Sequence, residues 1–293
     1  MSLIEQAAKR LAELQRAGAS VPGAASRAAP EVRARTAPPA EPAIVEVEKE
    51  RPRVVIDLAR LKALGFATDD ARTSTLSQEL RVLKRPILRA AAEEAAGAAT
   101  ARRVMITSAL PGEGKTFTAI NLALSIASEI DINVMLVDGD VAHPSMLDVL
   151  GVPSSAGLLD LLTRDELDID DVLLDTNIAG LTLLPAGTLN AQATELIASD
   201  KMASLVAKLT VKFPSRIIVF DSAPLLVTTE ARVLATHMGQ VVMVVAADST
   251  SRHSVQQALA TLERCERVYT MLNKTVASDT VAYHSHYAAP PAG

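Results

Sequence analysis

The residues with the clearest chemical potential lie in a turn over residues 108–116, which reads Ser-Ala-Leu-Pro-Gly-Glu-Gly-Lys-Thr. This segment fits the phosphate-binding P-loop pattern, with Ala109 in place of its first glycine. Gly112 and Gly114 allow backbone N–H groups to turn inward around phosphate oxygens. The ammonium group of Lys115 can bridge the terminal phosphates of a nucleoside triphosphate. The motif therefore predicts a triphosphate site.

The segments on either side of this turn give the context that a P-loop requires. Aliphatic residues 104–107 predict a strand, and a helix is expected from Thr116 to about residue 129. The positive end of that helix favours a phosphate, and the Thr116 hydroxyl can ligate Mg²⁺. An ordinary glycine-rich turn is the weaker alternative. The residues expected to contact the nucleotide here are Pro111, Gly112, Glu113, Gly114, Lys115, Thr116 and Phe117.

Two carboxylates follow a second aliphatic strand, predicted over residues 133–137. Asp138 and Asp140 lie two residues apart, and burying such a pair is costly without a cation or hydrogen-bond donors. Asp138 is placed to accept a proton from an attacking hydroxyl, and Asp140 to support a metal ion. Without the P-loop, a capped turn would be the better interpretation. With it, we predict a catalytic set of Lys115, Asp138 and Asp140.

A third acidic residue, Asp221, ends the apolar strand predicted over residues 216–220. P-loop proteins use a carboxylate after such a strand to hold the Mg²⁺ shell opposite the P-loop hydroxyl. The alternative is an aspartate that only caps the following turn. We predict Thr116, Asp140 and Asp221 as the metal-binding residues.

The whole chain from residue 103 alternates strands with helices, which predicts an α/β fold with right-handed crossovers and a mainly parallel sheet. Such a three-layer P-loop fold binds ligands beyond the carboxyl ends of its strands, where all three motifs lie. The other predicted strands are 181–184, 240–246 and 268–272, and the other predicted helices are 157–162, 201–211, 229–235 and 251–264.

Four regions are predicted along the chain. Residues 3–17 have an amphipathic helical pattern, either a terminal helix or a docking helix. An Ala/Pro-rich linker is expected over 18–75, although its last part, 53–75, is ambiguous. The nucleotide-binding domain spans 76–274; it opens with a helical pattern over 76–96 that Pro86 should kink or break. The remaining residues, 275–293, form a polar tail containing Tyr283 and Tyr287.

Composition excludes several classes of protein. A formal net charge of −5 gives no electrostatic basis for binding nucleic acid. The single cysteine, Cys265, excludes an intramolecular disulfide and a multi-cysteine metal site, as suits a reducing cytoplasm. No run approaches the ~18 apolar residues that cross a bilayer. Any association with a membrane is therefore expected to go through a partner or a surface helix.

In this order, the three motifs resemble those of the bacterial tyrosine autokinases (BY-kinases) of exopolysaccharide assembly, especially the exosortase-linked branch. The resemblance covers residues 76–275. The family's P-loop proline corresponds to Pro111, the proline after its paired acids to Pro144, and the proline of its third motif to Pro224. The ATPases of the MinD/ParA type share the fold, but they carry a second lysine where this chain has Leu110.

Membership of that family implies ATP, Mg²⁺ and transfer of the γ-phosphate to tyrosines, here Tyr283 and Tyr287 of a neighbouring subunit in a homo-oligomer. It also implies an activating partner, a Wzz-like polysaccharide chain-length regulator of the inner membrane, which would hold this cytoplasmic protein at the membrane periphery. In related folds an asparagine at the position of Asn273 contacts adenine; a strand cap is the alternative.

Three features depart from the family pattern. Ala142 and His143 stand where many members carry arginine. The spacing used in ring assembly is kept by Gln78, Arg81 and Lys84, with the acid displaced by one position, and the tail tyrosines are few. Two rival functions therefore remain: a MinD/ParA-like ATPase that acts as a nucleotide-switched positioning protein, and a non-catalytic nucleotide-binding scaffold.

Overall fold

An eight-stranded sheet organises the computed structural model, which describes residues 51–68, 74–93 and 99–275. These residues all belong to one of two compact units, residues 49–293. The predicted helix over 3–17 and the tail tyrosines Tyr283 and Tyr287 lie outside the described residues. The strands are β1 (Arg53–Val54), β2 (Arg103–Ser108), β3 (Asn133–Gly139), β4 (Leu174–Thr176), β5 (Leu181–Leu184), β6 (Arg216–Ser222), β7 (Gln240–Ala246) and β8 (Val268–Asn273).

The spatial order of the strands is β1-β4-β5-β3-β6-β2-β7-β8. Neighbouring strands run parallel throughout, except for the antiparallel pair β4 and β5. The strand before the P-loop, β2, lies between β6 and β7, and β6 separates it from β3. The predicted α/β fold is confirmed, and the three strands that carry the chemical motifs are neighbours at the centre of the sheet.

Helices cover both faces of the sheet. They are α1 (Leu58–Ala63), α2 (Thr75–Glu93), α3 (Lys115–Ala127), α4 (Met146–Leu150), α5 (Leu158–Thr163), α6 (Ile169–Val172), α7 (Ala193–Ile197), α8 (Asp200–Lys212), α9 (Glu230–Ala235) and α10 (Arg252–Ala260), with a 3₁₀ turn at Ala99–Arg102. Successive strand residues point to opposite faces. In β2, Met105 therefore packs in one apolar cluster, and Val104 and Ile106 pack in the other.

The N-terminal boundary predicted for the domain is wrong, because part of the predicted 18–75 linker is folded onto the sheet. β1 extends the sheet beside β4, and the N–H of Ile56 donates to Asn177 Oδ1 at 2.8 Å. Ile56, Leu61 and Phe66 are buried in the core. These elements escaped prediction because a two-residue strand and a six-residue helix are too short to show a period.

Two predictions concern α2. Pro86 lies inside a continuous helix, so the predicted break does not occur, and the alternative kink stays a prediction. The proline lies on the exposed side, next to exposed Val82, where water can replace the lost backbone hydrogen bond. Lys84 is buried, and its Nζ donates to the Ser125 carbonyl at 2.6 Å and pairs with Glu129 at 2.5 Å, while its predicted part in ring assembly stays a prediction.

A buried carboxylate, that of Asp160 in α5, holds the turn that follows β5. Its Oδ2 accepts hydrogen bonds from the N–H groups of Gly157 and Thr188, both at 2.9 Å. Burial raises the pKa of Asp160, but the backbone donors of Thr188 and Gly157, the Thr188 hydroxyl and the charge of Arg164 together outweigh it, and the net pKa lies below the usual value. The ionised, hydrogen-bonded carboxylate of Asp160 therefore stabilises the folded state.

We expect Asp160→Asn to lower the free energy of unfolding by about 2 kcal/mol at pH 7, since the amide offers a weaker acceptor and places NH₂ against N–H donors. A lowered folded pKa gives stability that is present above the unfolded pKa, about 3.9, and is lost as pH falls below it. The difference between wild type and variant should therefore shrink between pH 5 and pH 3. Urea unfolding across that range measures it, and a difference independent of pH would contradict this role.

Candidate active site

The P-loop connects β2 to α3 and is built on two glycines in the left-handed region. Gly112 has φ +77° and Gly114 has φ +100°, a conformation that side chains disfavour. A Cβ atom on Gly114 would collide with the side-chain amide of Asn273, so a side chain at this position would have to displace that amide. The predicted inward turn of the backbone is therefore what the two glycines permit.

The predicted cation lies at the start of α3. Lys115 is only 8% exposed, and its Nζ lies 3.9 Å from Oδ2 of Asp140. The next residue, Thr116, places its hydroxyl 3.5 Å from that of Ser145, beyond the end of β3. The P-loop thus faces the acidic end of β3 directly.

The acids of β3 and β6 meet because the two strands are adjacent and in register. Asp138 pairs with Asp221 across the strands, and Gly139 pairs with Ser222. Since β6 also pairs with β2, both carboxylates reach the end of the sheet from which the P-loop departs. The structure brings together Lys115, Thr116 and all three predicted acids; the roles assigned to them stay predictions.

These carboxylates are buried without enough partners. Among the described residues, no hydrogen-bond partner lies against Oδ1 of Asp138, Oδ1 of Asp140 or either side-chain oxygen of Asp221. The N–H of Met146 donates to Oδ2 of Asp138 at 3.2 Å. Buried carboxylate oxygens that lack partners are costly, so the arrangement points to a positively charged ligand.

The electrostatics of the site support the same conclusion. Burial and the neighbouring Asp221 raise the pKa of Asp138 to about 8. Burial raises the pKa of Asp221 to about 7, although the nearby Thr116 hydroxyl and Lys115 oppose the shift. Burial likewise raises the pKa of Asp140 against the attraction of Lys115. The single positive charge of Lys115 does not balance three carboxylates, whereas Lys115 together with a divalent cation would.

The donor set fits Mg²⁺, which prefers oxygen ligands and is usually held by one or two side chains, with phosphates and water completing its shell. Among the described residues, no group of three or more His, Cys, Asp or Glu forms a ready-made metal site. Thr116, Asp140 and Asp221 would therefore share the ion with a bound nucleotide.

Other residues predicted to contact the nucleotide have their side chains engaged elsewhere. The ring of Phe117 packs on Phe66, with centroids 4.8 Å apart. The carboxylate of Glu113 is buried and accepts from the N–H of Leu110 at 2.6 Å. Asn273 donates to the Glu113 carbonyl at 2.8 Å, and its predicted adenine contact stays a prediction. Glu113 and Phe117 can contact phosphate only through their N–H groups, and Pro111 lies exposed on the rim.

Three further residues at this site were not predicted. Ser145 approaches Thr116, Thr250 donates to the Glu113 carboxylate, and Lys274 donates to the carbonyl of Gly112 at 2.7 Å. The last two contacts join residues more than one hundred positions apart, so no local pattern marks them. The sequence offered one indication for Lys274: it directly follows Asn273, which was predicted to contact the nucleotide, at the end of β8.

This geometry defines a P-loop nucleotide-binding protein with a mostly parallel α/β fold. The family model described as the AAA domain matches residues 101–277, and the chain belongs to this family. The predicted fold class is thereby confirmed. The MinC:MinD complex of Aquifex aeolicus shares the fold alone, at 19% identity and a TM-score of 0.51 over 59% of this chain and 69% of its own.

Relatives narrow the class further. The tyrosine-protein kinase YwqD of Bacillus subtilis is 27% identical over 186 residues, which cover 64% of this chain and 76% of YwqD. Tyrosine-protein kinases of other bacteria match at 24–30% identity. The crystal structure of the chimerical protein CapA2B2 aligns with 75% of this chain and 94% of its own, at 25% identity and a TM-score of 0.60. The predicted resemblance to bacterial tyrosine kinases is confirmed; the exosortase-linked branch stays a prediction.

Proposed function

We propose that this chain is an ATP-dependent protein-tyrosine autokinase that regulates exopolysaccharide polymerisation and export. The observation that carries the proposal is the pair of buried carboxylates, Asp138 and Asp221, which lie in register on adjacent strands next to Lys115. A site with this composition suits a polyphosphate together with a divalent cation. The tyrosine-kinase relatives favour phosphoryl transfer to tyrosine over simple hydrolysis.

The chain's own groups can then be given roles. The N–H groups of the P-loop and the ammonium of Lys115 bind the phosphates and offset the charge that develops during transfer. Asp138 accepts the proton of the tyrosine hydroxyl while the tyrosine oxygen bonds to the γ-phosphorus. ADP leaves with the electrons of the broken bond. Thr116, Asp140 and Asp221 would hold Mg²⁺, which neutralises phosphate charge when bound.

The proposed acceptors are Tyr283 and Tyr287. The chain has three tyrosines, and the third, Tyr269, is engaged in the fold. Its hydroxyl donates to Gln240 Oε1 at 3.2 Å, and it lies four residues, or about 13 Å along β8, before Asn273 at the site. Transfer in trans is favoured because a tail on a neighbouring subunit is present at high effective concentration.

We expect mass spectrometry after incubation with Mg²⁺ and ATP to find phosphate on Tyr283 and Tyr287. Replacing both with phenylalanine should remove nearly all phosphotyrosine, because the remaining tyrosine is held by Gln240. The matched control is Tyr269→Phe, which should leave tail phosphorylation in place. Phosphate on Tyr269, or undiminished phosphotyrosine in the double variant, would contradict the assignment of the tail.

The proposed setting is the cytoplasmic face of the inner membrane. None of the described helices combines the length and apolar character needed to span a bilayer. We propose that the chain reaches the membrane through a polysaccharide chain-length regulator that activates it, and that it works as a homo-oligomer. The chain-length regulator's cytoplasmic segment should then raise the rate of tail phosphorylation.

The MinD/ParA-like alternative is less well supported. The side chain that occupies the position of the second P-loop lysine is Leu110, which packs partly against the core and carries no charge. ATP hydrolysis without phosphotyrosine would nevertheless favour that function. Nucleotide binding without any turnover, even in the presence of the regulator, would favour the non-catalytic scaffold.

A further inference from the structure

The P-loop carbonyls are bound from outside by the end of β8. Asn273 Nδ2 donates to the carbonyl of Glu113 at 2.8 Å, and Lys274 Nζ donates to the carbonyl of Gly112 at 2.7 Å. An amide nitrogen and an ammonium are both donors, and a carbonyl is only an acceptor, so the direction of each bond is fixed. Two consecutive peptide groups of the loop are thus held by side chains.

Holding these carbonyls also sets the direction of the amides. The described residues contain no cis peptide bond, and in a trans peptide the N–H points opposite to the C=O of the same plane. The carbonyl of Gly112 shares its plane with the N–H of Glu113, and the carbonyl of Glu113 shares its plane with the N–H of Gly114. Both N–H groups are therefore directed away from β8, as a phosphate cradle requires.

A second attachment comes from the Glu113 side chain, which is 2% exposed. Its carboxylate accepts from the N–H of Leu110 at 2.6 Å, from the N–H of Ala246 at 3.4 Å and from the Thr250 hydroxyl. One acceptor therefore joins the start of the loop to its end and fixes both to the end of β7. A buried charge with three donors is a satisfied one, unlike the acids of the active site.

The backbone at the base of this attachment is unusual. Lys274 has φ +59°, a left-handed conformation that a lysine seldom adopts. The preceding residue, Asn273, is fixed in the sheet because it is paired in register with Ala246 of β7. Non-glycine residues in this conformation persist when surrounding structure holds them, and they concentrate at functional sites.

We propose that Glu113, Asn273 and Lys274 form an outer clamp, a set of positioning residues that keeps the P-loop amides directed at the phosphates before a nucleotide binds. The inference rests on the proposed binding of nucleotide at the P-loop. It assigns Asn273 to the loop backbone and not to the adenine base. A loop held in its binding conformation loses little freedom on binding, which strengthens affinity for any ligand that carries the phosphates.

The test is calorimetric titration with Mg²⁺-pyrophosphate, Mg²⁺-ATP and Mg²⁺-GTP. Asn273→Leu and Lys274→Met should each bind all three about tenfold more weakly than wild type, the effect of losing one such hydrogen bond. The ratio of ATP to GTP affinity should stay unchanged, because the clamp does not contact the base. Lys208→Met, an exposed lysine on α8, is the matched control and should bind like wild type.

Unchanged pyrophosphate affinity in Asn273→Leu, together with a changed ratio of ATP to GTP affinity, would overturn the clamp and assign the residue to adenine. If Asn273→Leu does not fold, Lys274→Met at its exposed position decides. If the wild-type protein phosphorylates tyrosine and the variants bind nucleotide as tightly as wild type, the clamp is overturned and the kinase proposal stands. If the wild-type protein binds nucleotide but forms no phosphotyrosine, and the variants bind more weakly, the clamp is supported and the kinase proposal is removed. No binding by wild type would remove both.

Discussion

Lys115→Ala is expected to reduce phosphotyrosine formation by about a thousandfold and to weaken the binding of Mg²⁺-ATP. Lys115 is 8% exposed and its ammonium lies 3.9 Å from Asp140, so among the described residues it is the cation placed against both the predicted phosphates and the acids. Removing a single preorganised donor from a transferring group lowers rates by about 10²–10³-fold, and here the donor is also charged. Phosphotyrosine detection and calorimetry would measure the two effects.

Lys208→Ala, on the exposed surface of α8, controls for the loss of a lysine and should leave both measurements unchanged. The Lys115→Ala chain also separates cis from trans transfer, since it retains both tail tyrosines. Mixed with an active chain whose tail tyrosines are phenylalanine, it should acquire phosphate. Unchanged ATP affinity and activity in Lys115→Ala would remove the assignment of the P-loop.

Asp221→Asn is expected to abolish transfer and, at the same time, to stabilise the protein in the absence of nucleotide. In the part of the chain that the structure describes, neither buried oxygen of Asp221 has a donor within hydrogen-bond distance, although the Thr116 hydroxyl lies nearby, and the residue is in register with Asp138. Removing a buried charge that is not compensated should raise the free energy of unfolding by about 1–2 kcal/mol, or the melting temperature by about 2–6 °C. Thermal unfolding without ligand, followed by the kinase assay, tests both effects.

The matched comparison is Asp160→Asn, an equally conservative change at another buried aspartate. Asp160 accepts two backbone hydrogen bonds, so the same substitution should destabilise it. Mg²⁺-ATP should raise the melting temperature of wild type and have little effect on Asp221→Asn, because ligands stabilise the state they bind. A lower melting temperature for Asp221→Asn without ligand would show that its carboxylate is satisfied in solution.

The part of the site that was predictable from sequence is local. The P-loop pattern depends on glycines and a lysine within a few positions, and the parallel sheet brings the ends of aliphatic strands to one edge. That is why the sequence alone predicts that Lys115, Asp138 and Asp221 lie close together. The sequence pattern identifies the ends of the strands, and a parallel sheet places those ends at the same edge.

What escaped prediction depends on contacts between distant positions. The burial of Lys84 follows from Glu129 and the Ser125 carbonyl on another helix, which no pattern around residue 84 reveals. The contact of Thr250 with the Glu113 carboxylate joins two loops across the end of the sheet. Helix α10 ends at Ala260, before the predicted residue 264, although the sequence pattern continues.

The folded segment over residues 51–68 has a practical consequence for anyone preparing fragments of this protein. A recombinant piece that starts at residue 76, where the sequence pattern of the nucleotide-binding domain begins, lacks Ile56, Leu61 and Phe66. Water would then reach the apolar surface that these side chains cover, including the ring of Phe117 beside the lysine and threonine of the P-loop. Exposed apolar surface of this kind favours aggregation. Weak catalysis by such a fragment would therefore reflect the loss of residues 51–68, and not the chemistry of the intact chain.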